Sequence, residues 1–219
     1  MPVKSDDVAS PREQLGQFVS RQVNMVQSIY LSATGQSKGA RELAALRRAV
    51  TKFPGAAVDT WQLEFDGLPE ALVGRGDEPS AGEWAVHAAL TLYAAHQQSQ
   101  TFPMHQRGEE HGLGQAMREF VQRNANRFSN LEQGELPRRF AALVTAESFS
   151  ETVHYARQLV HQLRSAAIPL DYALLAQQLY DLQIPGRADA VRLAWGRGFA
   201  MYQGSGESEK NQSSSRLGN

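Results

Sequence analysis

The 219-residue chain has no cysteine. That excludes a disulfide framework, thiolate zinc and iron–sulfur sites, and a cysteine nucleophile. Isoleucine is nearly absent, at 3, and valine reaches only 14, against 29 alanines, 22 leucines and 20 glutamines. Strands favour β-branched residues and helices favour Ala, Leu and Gln, so the shortage argues against a sheet and for an all-α fold. Charge of one sign is lacking too, with a formal net charge of −1, which argues against an unselective polyanion binder. No apolar run approaches the ~20 residues of a membrane-spanning helix, and Leu31 is followed at once by Ser-Ala-Thr-Gly. Residues 1–10 are polar and acidic, unlike a secretory signal. The expectation is a soluble, cytoplasmic protein with no membrane association.

The enzyme motifs are missing as well. There is no Gly-x-x-x-x-Gly-Lys-Ser/Thr phosphate loop, no strand-borne Gly-x-Gly-x-x-Gly and no Gly-x-Ser-x-Gly elbow. Among the six His, only His105 and His111 stand in a compact cluster, with Glu109 and Glu110. A metal-dependent hydrolase built on that loop is one reading, although His-Glu-x-x-His is absent.

What is present is helical punctuation. Ser10-Pro11-Arg12-Glu13 is a capping box with proline at the first helical position. Leu15, Phe18, Val19, Val26, Ile29 and Tyr30 follow at helical spacing until Thr34-Gly35. Further helices are predicted over about 40–50, 83–100, 112–123, from Pro137, 151–166, 172–182 and 188–202, with Asp171 as an N-cap. Residues 54–82, rich in Pro and Gly, read as loops and short turns. Gly196 and Gly198 inside the last helix suggest a close helix crossing or a frayed end. The expected organisation is eight to nine helices in one or two small bundles. The division placed on it is an N-terminal bundle over 10–130, a C-terminal bundle over 131–203 and a disordered Gly/Ser tail over 204–219.

Charge is segregated along the chain. Residues 61–83 carry six acids and one Arg, while residues 41–60 carry four cations and two acids. Of the 22 cations only 4 are Lys. Arg makes planar, bidentate contacts with phosphate, although an Arg-favouring codon bias is an equal explanation. On the helix predicted over 151–166, His154, Arg157, His161 and Arg164 fall within an arc of about 80°. Such a line can follow a phosphate backbone or form the polar shoulder of an amphipathic helix. The doublets Arg47-Arg48 and Arg138-Arg139 serve equally as phosphate contacts or structural ion pairs.

Seven segments carry a resemblance, in order along residues 45–199. They are Ala45-Leu46-Arg47-Arg48-Ala49, Leu90-Thr91-Leu92-Tyr93-Ala94-Ala95-His96-Gln97-Gln98-Ser99, Pro103-Met104-His105 and Gly112-Leu113-Gly114. Arg138-Arg139-Phe140-Ala141-Ala142-Leu143, Ile168-Pro169-Leu170-Asp171-Tyr172 and Arg192-Leu193-Ala194-Trp195-Gly196-Arg197 complete the set. Together they resemble the CasB family, the small subunit of the type I-E CRISPR effector complex, Cascade.

The resemblance implies an all-α, non-enzymatic subunit without a cofactor or metal, present as a head-to-tail pair. Its implied partners are the large and backbone subunits of the complex, a second copy of itself, the guide RNA, the target DNA and the displaced single strand. The family-like segments point first to Arg47, Arg48, Arg138 and Arg139 as nucleic-acid contacts, then to Gln98, His105, Arg192 and Arg197. Helix geometry adds Arg107, Arg118, Arg123, Arg157 and Arg164. The competing reading is a helical protein–protein adaptor that docks through the acidic 61–83 segment and binds no nucleic acid.

Overall fold

The computed structural model describes residues 9–124 and 137–201. The division at 130/131 and the tail over 204–219 lie outside the described residues. Nine α-helices and three short 3-10 turns run along the described chain, with no strand beyond a single parallel bridge between His105 and Leu170. The fold is all-α.

Helix α1, Pro11–Leu31, starts at the Ser10 capping box, which closes reciprocally with Glu13. Helix α2, Gln36–Ala49, returns along α1. It begins four residues before the predicted start, because Gly35 caps it without any side-chain bond that a sequence would advertise. Gly39 lies where the two helices cross. A Cβ there would stand 2.5 Å from Cα and 2.6 Å from the amide nitrogen of Tyr30. The loop region contains only a single longer turn, α3, Trp61–Phe65.

Helix α4, Ala81–Gln97, is the axis of the molecule. Fourteen of its residues are buried, on every side, which is the pattern of a helix surrounded by others. It is covered by α2, by α7 (Phe149–Ser165) and by α8 (Tyr172–Asp181), and α8 also packs along α1. Helices α5 (Leu113–Arg123) and α9 (Ala188–Met201) form a second close pair. There Gly114 fits beneath the backbone of Trp195 and Phe199, and Gly198 sits against the Gln115 side chain. A Cβ on Gly196 would meet nothing among the described residues, so close packing there accounts for only one of the two glycines in α9. Helix α6, Arg138–Val144, lies on α7. One apolar cluster joins Val19, Leu46 and Tyr93 to Leu159, Leu179 and Trp195.

Candidate nucleic-acid interface

Helix α7 is held from its start by a capping box between Ser148 and Glu151. Ala156, Leu159, Val160 and Leu163 are buried, while Val153 is half-buried. The flanking line of His154, Arg157, His161 and Arg164 therefore runs along the rim of this packed face. On one side of the line, α5, α6 and α7 enclose a cleft of ≈ 690 Å³. Arg123, Arg139, Gln158 and His161 face it, and among the described residues none that lines it is acidic. Arg139 is exposed and has no ion pair among the described residues. Arg123 donates to the Ala166 carbonyl at 2.9 Å and pairs with Glu119 on its own helix.

Electrostatics links the cleft to the other end of the line. Partial burial lowers the pKa of His161 from its ordinary value, and the charges of Arg164 and Arg157 push it the same way. Burial also lowers Arg47, whose field includes Arg164 and Arg48 as like charges. Arg164 thus stands in the field of both Arg47 and His161, and with Arg157 on one side and Arg123 and Arg139 across the cleft these side chains follow one another as a basic band from α5 to α2. Repulsion held in place by packing is relieved by an anion.

The remaining candidates divide. Arg138 and Arg197 are exposed without an ion pair among the described residues. Arg48 is exposed and meets Asp59 at 3.6 Å, with both side chains in solvent, a contact of little energy. Arg164 is anchored by its donation to Gln98 Oε1 at 3.0 Å, so Gln98 positions the arginine. Arg192 donates to the carbonyls of Val144 and Ala146 at 3.0 and 3.2 Å, closing the end of α6. Arg118 lies over the Phe199 ring at 6.0 Å, and its Nε is buried without a partner among the described residues. Arg107 is exposed but faces a hollow that also contains Glu13, Glu109 and Asp171, a poor surface for phosphate.

His105 is 3% exposed. Its Nδ1 accepts from the Tyr172 amide at 3.1 Å, and burial lowers its pKa while Asp171 opposes the shift. It is a structural residue of the bridge to Leu170 and does not reach a surface ligand. The same placement dismantles the metal cluster, since His105 is turned inward while His111 meets Glu110 on the surface turn. Among the described residues no group of three His, Asp or Glu side chains stands close enough to hold an ion.

The sequence matches the family model of the CRISPR-associated protein Cse2 over residues 42–199. The chain belongs to the Cse2 family. It is similar to the crystal structure of CasB from Thermobifida fusca at 35% identity, with a TM-score of 0.66 over 85% of this chain and 97% of that one. A Cse2-family protein of Thermus thermophilus, at 23% identity and a TM-score of 0.56, shares the fold over 87% of this chain and 98% of its own. No curated protein matches the sequence significantly. No helix among the described residues is long and apolar enough to cross a membrane.

Within this Cse2 fold, several polar residues without a sequence signal hold the site in place. Gln97, fully buried, donates to the carbonyls of Gln100 and Phe102 and accepts from the Met104 amide at 2.9 Å. Gln27 takes both backbone groups of His105. In the acidic 61–83 segment, Glu64 is buried against His87 at 3.0 Å and Glu83 closes the cap of α4. Two of the six acids are thereby spent internally. Glutamine on a helix carries no local mark of such a role, because its partners come from distant segments.

Proposed function

We propose that this chain is a non-catalytic structural subunit of an RNA-guided type I-E CRISPR effector complex. It stabilises the guide RNA–target DNA hybrid and the displaced strand during R-loop formation. The observation that carries this reading is the basic band, with a cleft lined by Arg123 and Arg139, on the surface of a Cse2-family fold. Base pairing supplies sequence recognition in such a complex, so this subunit needs phosphate contacts and shape. Planar guanidiniums on a rigid helix suit that task. The near-neutral net charge fits a groove whose affinity is completed by the large and backbone subunits and by a second copy of this chain. The reading places the protein in the cytoplasm, without a cofactor.

The test is Arg138→Ala with Arg139→Ala in the assembled complex. The R-loop should dissociate sooner, and the slope of log affinity against log salt should flatten by about one for each phosphate no longer neutralised. Assembly should be intact. An unchanged R-loop lifetime overturns the assignment of these arginines. A purified particle that contains no RNA overturns the function.

A further inference from the structure

A second cavity of ≈ 560 Å³ lies at the other end of α7, where the end of α2 and the starts of α4 and α7 meet. Three aromatic rings from different elements form its wall. Trp84 meets Phe53 edge-on at 5.5 Å between centroids and Phe149 at 6.0 Å. Phe53 is 45% exposed, so one ring of this wall is open to solvent. Lys52 stands at the rim.

His87 also lines this groove, and it is 3% exposed. Its Nδ1 meets Glu64 Oε1 at 3.0 Å, while Glu64 Oε2 accepts from the Gly55 amide. With Glu64 accepting at both oxygens, a ring hydrogen belongs on Nδ1, and in the neutral imidazole Nε2 is the acceptor. That Nε2 is buried and has no partner among the described residues. A buried polar atom left open in an aromatic groove is costly unless something completes it.

The groove and the basic band share one face of α7 and one face of α2. Ser150 and Val153, which line it, fall with Arg157 and Arg164 within an arc of about 60° on α7. On α2, Val50 of the groove is three residues from Arg47, on the same face. A strand held by the arginines is led towards the rings.

We propose that this groove takes one unpaired nucleobase of the strand held by the band, stacked among Phe53, Trp84 and Phe149 and donating a hydrogen bond to His87 Nε2. The inference rests on the strand-binding reading above. Every nucleobase has a stacking face and an amino or imino donor, so the pocket tolerates sequence, as a subunit guided by pairing elsewhere requires.

The experiment uses the assembled effector complex with its guide RNA and a target duplex. In one arm 5-iodouracil is placed at single positions of the non-target strand, and in the other 4-thiouridine is placed in the guide. After irradiation the adducts are mapped by mass spectrometry. The expected result is an adduct on Phe53, Trp84 or Phe149, and the arm that yields it identifies the strand. Phe53→Ala, at an exposed ring, and Phe149→Leu, which keeps volume, should each reduce its yield about fivefold or more. Adducts confined to peptides carrying Arg123, Arg139 or Arg157 overturn the base pocket and leave the strand-binding reading standing. No adduct to this subunit in either arm overturns both. If Phe53→Ala strips the subunit from the complex before target is added, the groove belongs to a protein partner and the base assignment falls.

Discussion

Nδ1 of His96 lies 3.0 Å from the hydroxyl of Tyr172, and both side chains are fully buried where α4 meets α8. Burial raises the phenol's pKa well above its ordinary value and lowers that of His96 to about 3. Both partners therefore stay uncharged, and the Tyr172 hydroxyl also donates to the Leu92 carbonyl at 3.4 Å. The bond joins the central helix to the segment that follows the bridge to His105.

This pair predicts an acid-labile fold. A histidine that protonates less readily when folded leaves the unfolded chain binding more protons, so its stability contribution is complete above about pH 6.5 and declines as pH falls towards 3. By pH 5 the loss from His96 alone is about 2 kcal/mol, or about 4–8 °C in Tm. His105 and His161, also lowered, add in the same direction. Thermal melts at pH 7 and pH 5 check this, and His96→Phe should reduce the difference. An unchanged pH slope in that variant would place the acid sensitivity elsewhere.

Arg192 and Arg139 should separate cleanly. Arg192→Ala removes the donors to the Val144 and Ala146 carbonyls and should cost about 1–2 kcal/mol of stability. The salt slope of R-loop binding should be unchanged. Arg139→Ala, at an exposed side chain with no ion pair among the described residues, should leave Tm unchanged and flatten the slope by about one. Melting curves and salt titrations of both variants are the measurements. The opposite pattern would exchange the two roles.

The sequence discloses the helices more fully than the interface, and the reason is locality. The Ser10–Glu13 box, the Asp171 cap and the apolar spacing along α4 and α7 are short-range signals, and the helices form where those signals stand. Two predicted starts fall two residues late. Ser80 and Ser148 carry the same box as Ser10, but the predicted helices begin at Glu83 and Glu151, the N3 partners of those caps. The arc of cations on α7 is also legible, because it is a property of one helix. Whether each cation is spent on the fold depends on carbonyls far along the chain, such as Val144 for Arg192. His105 illustrates the same limit, since its burial is decided by Gln27, Leu170 and Tyr172.

Gly39 gives a prediction that opposes helix propensity. Alanine is favoured over glycine inside a helix by about 1 kcal/mol. At this crossing, however, the added methyl would meet backbone atoms of Tyr30, which cannot rotate away. Gly39→Ala should therefore lower stability, by about 1–3 kcal/mol, as measured by denaturant unfolding. A stabilised variant would mean that α1 and α2 can separate at little cost.

Gln97 supports the last prediction, because one side chain organises the whole turn after α4. It serves the carbonyls of Gln100 and Phe102 and the amide of Met104, while Gln27 serves His105. Ser99 stands in the left-handed region with φ 61, a conformation that a serine keeps only when its surroundings hold it. Gln97→Leu keeps the bulk but leaves three backbone groups without their partner, at about 1–3 kcal/mol for each that stays buried. Amide exchange over residues 98–106 should accelerate well beyond that of α1 and α8. Because Gln98 positions Arg164, the same variant should shorten R-loop lifetime without removing any cation. Unchanged exchange across 98–106 would mean that the bridge from His105 to Leu170 holds the turn by itself. Loosened exchange with an unchanged R-loop would remove Arg164 from the strand contact.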